Sequence, residues 1–200
     1  MNTEIEVKFL DINLEAARAK LEAAGATCRK PMRLMKRAIM DFPDRRLQSG
    51  KSNGYVRVRD EGDKVTLTYK MFESLSIDGA KELETSVQSF DTTVAILTAI
   101  GLQVESVQET KRESWNYKGC AIELDVWPWL NPYMEIEGDS QHQVKAVASA
   151  LGLDWNDAAF GDVMVAYRAQ YPGLSESQTV GNLAEVSFTS PLPSFLQKSH

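Results

Sequence analysis

TEIEVKFLD, residues 3–11, alternates charged and apolar side chains: Glu4, Glu6 and Lys8 occupy one set of positions, Ile5, Val7 and Phe9 the other. Residues two apart share a face of a β-strand. The stretch therefore reads as a strand over 3–10 with one apolar face and one face carrying two neighbouring carboxylates and an ammonium. A single strand of this kind is what any half-buried antiparallel sheet shows.

The division recurs along the chain. YVRVRDE (55–61) and KVTLTYK (64–70), joined at Glu61-Gly62-Asp63, predict a hairpin. Strand patterns also cover an extended segment at 27–42 closed by Pro43, then KELETSVQSF (81–90), 103–117, 119–127 and 133–138. The polar RRLQSGKSNG reads as a loop. Helices are expected from an Asn13 cap to about Gly25, from an Asp91 cap to Ile100, from Ser140 to about Leu151, and from about Asp162 to Tyr171. This amounts to about eight strands and four helices.

Sorted by face, the apolar sets are Ile5, Val7, Phe9; Val56, Val58; Val65, Leu67, Tyr69; Ile122, Leu124, Val126; and Met134, Ile136. The opposite sets segregate by sign. Glu4 and Glu6, Glu82 and Glu84, Glu123 and Asp125, and Glu135 and Glu137 form acidic pairs, while Arg57, Arg59, Lys70 and Arg112 concentrate on other strands. Like charges side by side destabilise a sheet face unless something of opposite charge lies between them. A hard divalent cation with oxygen ligands, Mg2+ or Mn2+, suits the acidic pairs. Phosphate oxygens suit the guanidinium and ammonium groups. With helices over the apolar faces, the strands would close into an α+β fold: an eight-stranded antiparallel β-barrel whose charged lumen is a hydrated tunnel.

Bulk properties agree. The chain has 200 residues, 43% hydrophobic and 25% charged, enough for one sizeable core. A net charge of −6 and a pI near 5.1 disfavour duplex nucleic acid and anionic membrane as partners. No apolar run is long enough to span a bilayer and the N-terminus lacks signal-peptide order, so a cytoplasmic location is expected. Cys28 and Cys120 lack CxxC partners and read as reduced, partly buried thiols. With only His142 and His200 present, and no GxSxG, P-loop or GxGxxG, histidine, serine-nucleophile and dinucleotide chemistries have no support. From Pro172 onward scattered apolar residues predict a strap or tail, giving a domain over 1–172 with residues 173–200 appended.

In order along the chain, EIEVK (4–8), VRVR (56–59), TLTYK (66–70), ELE (82–84), ELD (123–125) and EIE (135–137) resemble the motifs of the CYTH superfamily, the triphosphate tunnel metalloenzymes. That superfamily includes class IV adenylyl cyclases, thiamine triphosphatases and inorganic triphosphatases. The resemblance implies a metal-dependent enzyme acting on a small triphosphate or nucleoside triphosphate, by hydrolysis or by cyclase chemistry, with a noncatalytic binder as a further reading. A homodimer is allowed for. Carried over by motif, Glu4, Glu6, Glu82, Glu84, Asp125, Glu135 and Glu137 would lie on the metal side. Lys8, Arg57, Arg59, Lys70 and Arg112 would bind phosphate, with Lys8, Glu4 and Glu6 nearest the chemistry. The sequence departs from the pattern at Ala80 and Thr110, where basic residues are common. Arg37, or Lys36 on the opposite face, is the compensating candidate. MDFP (40–43) resembles the family's strand end before a Pro turn. In DVWPWLNPYMEIEG (125–138), Trp127, Trp129 and Tyr133 are expected at packing and rim positions.

Overall fold

A computed structural model describes residues 1–49 and 53–197; Gly50–Ser52 of the polar loop and the terminal residues 198–200, including His200, lie outside the described residues. The strands are β1 (Asn2–Thr3), β2 (Glu6–Phe9), β3 (Thr27–Asp41), β4 (Asn53–Asp60), β5 (Val65–Phe72), β6 (Ala80–Val87), β7 (Gln103–Tyr117), β8 (Cys120–Val126), β9 (Tyr133–Glu137), β10 (Ala158–Ala159) and β11 (Glu185–Val186). The helices are α1 (Leu14–Ala24), α2 (Phe90–Ala99), α3 (Gln141–Ala150) and α4 (Met164–Gln170).

The strands form one curled sheet in the order β1-β6-β5-β4-β3-β7-β8-β9-β2-β10, with β11 beside β7. Every pairing is antiparallel except that of β11 with β7. The first strand departs from its expected form. Its first two residues pair with β6, at one end of the sheet path, and Glu6–Phe9 pair with β9 near the other. Between them the Glu4 and Glu6 amides donate to the carbonyls of Ala80 and Ile77 at 3.0 Å each, and the Gly138 amide donates to Ile5 O at 3.1 Å. The N-terminal segment thus touches both ends of the curl. Among the described residues, these isolated bonds stand where a continuous β2–β6 ladder would be.

Local chemistry explains the helix ends. Asn13 Oδ1 accepts from the Ala16 amide at 3.0 Å, and Gly25, with φ of 81°, stops α1 in the left-handed region. For α2 the cap is Ser89, not Asp91: Ser89 is extended and its hydroxyl accepts from the Thr92 amide, while Asp91 falls inside the first turn, where a carboxylate favours the helix dipole. Ser140 caps α3 as expected. At α4 the Asp162 carboxylate accepts from the Met164 amide, so the regular helix begins two residues later than the pattern suggests.

Apolar faces look outward beneath the helices. Val7, Phe9, Ile122, Leu124, Met134 and Ile136 are buried with Leu21 of α1 and Val144, Val147 and Ala148 of α3. A smaller cluster sets Met40 and Val58 against Phe90, Val94 and Leu97 of α2. A third joins Trp127, Tyr133, Met164 and Tyr167 to Val180, Val186 and Leu196 from the C-terminal strap. Fully burying one such aliphatic side chain contributes roughly 1.5–3 kcal/mol, so the strap's three are a substantial attachment. Cys120 is buried in the main core, while Cys28 is exposed rather than partly buried; both thiols are free. Among the described residues no helix is long and apolar enough to cross a membrane.

Candidate functional site

The concave face of the curl encloses a cavity of about 1320 Å³. Its lining includes every expected site residue except Asp125, which is buried behind Arg112, the one of the two that lines the cavity. Alternation within each strand is the cause: once the apolar set faces the helices, the intervening residues must face inward.

One region of the wall is cationic. Arg37, Arg57 and Arg59 are each at least nine-tenths buried, and Arg112 is close by. Burial and the surrounding Arg57, Arg59 and Arg112 push Arg37 down to about 9. Burial, Arg57 and Arg112 bring Arg59 to about 10. The Nε atoms of Arg37, Arg57 and Arg59 are buried with no hydrogen-bond partner among the described residues. Arg37 does reach Thr110: its guanidinium donates to Thr110 Oγ1 at 2.7 Å and stacks 4.6 Å from the Trp127 ring centroid. The Arg37 guanidinium thus lies against Thr110, one of the positions where the sequence departs from the expected basic pattern. Lys36 points away, over the Phe90 ring.

Three acidic candidates are engaged by these cations. Arg112 clamps Asp125 through two bonds of 2.6 and 2.7 Å and lies 3.5 Å from Glu135. Glu84 accepts from Thr68 Oγ1 at 2.7 Å and from Arg57 at 3.4 Å, and its carboxyl lies below its ordinary range; burial opposes that shift, while Thr68, Arg59 and Arg57 produce it. Lys8 bonds to Glu6 at 2.8 Å and to Glu135 at 3.1 Å. Burial alone would lower the Lys8 ammonium, but Glu135 and Glu6 hold it well above its ordinary value. Glu135 is correspondingly depressed, against the effect of burial, by Lys8 and Arg112.

The remaining carboxylates behave differently. Glu6 lies opposite Glu137 in the β2–β9 ladder, and Asn2, two residues before Glu4, lies opposite Glu82. Glu4 contacts Lys70, yet burial pushes its carboxyl up and Glu82 adds to the shift. Burial followed by Glu135 raises Glu6, and burial together with Glu4, Glu135, Glu6 and Glu82 brings Glu137 up to about 7. This is a wall with excess negative charge, all of it oxygen donors. In donor chemistry it fits a hard divalent cation. Among the described residues no three carboxylates are already gathered into a cage.

Neutral side chains complete the site. Thr68, which alternates inward with Thr66 and Lys70, and Thr110 orient Glu84 and Arg37. Trp127 and Tyr133 are buried, with Trp127 Nε1 donating to the Tyr133 hydroxyl at 3.0 Å, and Trp129 donates to Ser190 O of the strap. Asp41 of MDFP accepts from the amides of Phe42, Leu47 and Gln48 and so shapes the loop beside the cavity. Asp162 and Met164, at the start of the expected last helix, and Thr179 and Val180, from the strap, also line the cavity, and no sequence motif singles them out.

The CYTH domain matches residues 2–157, and the chain belongs to that family. Solved structures show the same fold. The PH1012 protein of Pyrococcus horikoshii is 22% identical, with a TM-score of 0.67 over 82% of this chain and 98% of that one. A proposed adenylate cyclase from Vibrio parahaemolyticus is 15% identical with a TM-score of 0.70, over 82% of this chain and 97% of its own. A proposed adenylyl cyclase from Hippeastrum, described as revealing a dominant triphosphatase activity, is 17% identical with a TM-score of 0.58, over 84% and 96%. No curated protein matches the sequence.

Proposed function

We propose that the chain is a divalent-metal-dependent triphosphatase acting on inorganic triphosphate or a triphosphate-bearing small molecule. The reading takes the curled sheet as an eight-stranded tunnel closed by the N-terminal segment. The observation that carries it is the set of buried guanidiniums around one cavity, three of them with unpartnered Nε atoms. Glu84, Glu61, Asp125 and Glu135 offset part of the charge of Arg57, Arg59 and Arg112, but Arg37 has no carboxylate partner among the described residues, and the clustered like charges remain costly until a multivalent anion joins them. A triphosphate supplies about four negative charges, and phosphoryl transfer is promoted mainly by positioning and neutralisation.

In this reading Arg37, Arg57, Arg59 and Arg112 hold phosphate oxygens, with Lys70 and Lys8 beside the acidic wall. Lys8, kept protonated by Glu6 and Glu135, serves as a fixed cation and not as a proton acceptor. Glu4, Glu6, Glu82 and Glu137 would hold Mg2+ or Mn2+, while Glu84, Asp125 and Glu135 keep basic side chains in place. When bound, the ion would supply charge neutralisation at the phosphate oxygens and lower the pKa of water. A water oxygen bonds to the terminal phosphorus as its bridging P–O bond breaks. The water's proton passes to solvent in the hydrated cavity, and the bridging oxygen leaves with the shortened phosphate chain. The C-terminal strap belongs to the same domain, into whose core it packs Val180, Val186 and Leu196.

The cyclase reading has one specific observation in its favour. Tyr55 and Phe72 pair at 6.5 Å along the cavity and offer aromatic faces to a nucleobase. Incubation with tripolyphosphate or ATP and either metal, with phosphate and cyclic AMP measured together, separates the two. Phosphate release is expected; cyclic AMP with little phosphate would overturn the hydrolase reading, and saturable binding without turnover would leave a binder.

A further inference from the structure

A second group of cations stands at the cavity rim where β3 begins and β4 turns into β5. Its centre is Glu61, which none of the motifs includes. Glu61 is 5% exposed and lies 2.7 Å from Arg59, 3.3 Å from Arg33, and 3.6 Å from both Lys30 and Lys64. These four cations draw the Glu61 carboxyl below its ordinary range although burial opposes this. Asp63, exposed, takes Lys30 through both carboxylate oxygens at 2.8 and 2.7 Å. Two carboxylates, Glu61 and Asp63, thus gather four cations, more than they can neutralise. The Nε atoms of Arg33 and Arg59 are buried without partners among the described residues.

This group extends the lumen's cationic row. Lys64, Arg59, Arg57 and Lys70 all line the cavity on β4, β5 and their turn. From Lys64 to Lys70 the strand rises about 20 Å at roughly 3.3 Å per residue. Three phosphates joined by single bridging oxygens are far shorter than that row. A ligand occupying Arg37, Arg57, Arg112 and Lys70 leaves Lys30, Arg33 and Lys64 without phosphate. The chemistry at this rim also discriminates among extensions. Tyr55 and Phe72 lie at the Lys70 end, while Trp115, which also lines the cavity, is buried with its Nε1 donating to Glu113. The described residues around Glu61 offer charge in place of an open ring face.

We propose that the Lys30–Arg33–Lys64 rim, organised by Glu61, is an anion subsite for the outer phosphates of a linear polyphosphate longer than three units. The inference rests on the reading of the tunnel as a triphosphate site and adds the chain length it accepts. Arg59 links the two regions, because its guanidinium faces the inner cluster while bonding to Glu61. Longer chains therefore gain rim contacts without displacing the inner ones.

The test is titration calorimetry in EDTA, which halts metal-dependent turnover, using tripolyphosphate and long-chain inorganic polyphosphate. The proteins are the wild type, the Lys30→Ala/Lys64→Ala double variant, and Lys20→Ala, which removes an exposed α1 cation away from the cavity. Two partly exposed cation–phosphate contacts together correspond to about a fivefold to tenfold change in affinity. The wild type is expected to bind the long chain about tenfold more tightly than tripolyphosphate. The double variant should lose about fivefold or more of that advantage with tripolyphosphate affinity held within twofold, and Lys20→Ala should lose none. Long chains also gain statistically from their many registers, but that gain survives in the double variant and cancels. An equal loss for both ligands, an unchanged advantage, or no advantage in the wild type would each overturn the subsite. Absence of tripolyphosphate binding would instead sink the tunnel reading itself. Both substituted lysines are partly exposed and lie outside the hydrophobic clusters, so an unchanged thermal transition should accompany the substitution.

Discussion

Replacing Arg37 by Met should stabilise the ligand-free protein and cripple its ligand binding. Arg37 is 7% exposed, and burial with three neighbouring guanidiniums brings it down to about 9. Such a displacement disfavours the charged form by on the order of 4 kcal/mol. The sign follows from proton counting: between about 9 and the ordinary arginine range the unfolded chain binds more protons, so the penalty is fully present at neutral pH and fades only as pH rises through that window. Met removes the charge at similar length. Against the gain stand the lost Thr110 bond and the stacking on Trp127, each about 1 kcal/mol. The net expectation is about 1–3 kcal/mol of added stability, or about 2–10 °C in Tm for a chain of this size. Tripolyphosphate at 100 times its Kd should stabilise the wild type by about 2.7 kcal/mol, and this protection should largely vanish in Arg37→Met. Thermal unfolding with and without tripolyphosphate, at low salt, reads both effects. A less stable ligand-free variant, or one still fully protected by ligand, would refute the claim that the arginine cluster is strained until a polyanion arrives.

Glu4→Ala with Glu6→Ala should abolish metal-dependent turnover and weaken Mn2+ binding at least tenfold by calorimetry; retention of both would show that this wall is only a solvated face. In chelator, stability should fall slightly as pH rises through about 7, because folded Glu137 holds its proton above the unfolded carboxylate range and loses it there. Glu137 is exposed, so solvent screening keeps the effect below about 1 kcal/mol, and urea denaturation at pH 5.5 and 8 of wild type and Glu137→Gln should show it shrink in the variant. Truncation after Pro172 removes Val180, Val186 and Leu196 from the cluster around Tyr167 and should cost several kcal/mol. An unchanged thermal transition would mean that the strap is a separate tail.

Much of the site was legible because strand alternation is a local rule. Glu4, Glu6 and Lys8 had to share a face with one another, and so did Arg57 with Arg59 and Glu135 with Glu137. The hairpin at Glu61-Gly62-Asp63 was legible for the same reason, since its turn and both alternating runs lie within a few residues. The α2 cap was misplaced by two residues because Ser89 and Asp91 are both good cap residues by type, and only backbone geometry separates them. By sequence Glu61 is no more than part of a turn. Its importance comes from Lys30 and Arg33, about thirty residues earlier, which reach it only when β3 pairs beside β4.

The sequence by itself therefore determined which side chains face inward and that their charges separate by sign, because these follow from the two-residue period of a strand. The tertiary structure alone decided which charges meet. It set Arg112 on Asp125, Lys8 between Glu6 and Glu135, and Arg37 on Thr110, while Glu4, Glu6 and Glu137 were left with raised proton affinity. Pairing between side chains far apart in the chain depends on ladder register and sheet curl. Those are settled by packing the apolar faces against the helices, which no local pattern contains.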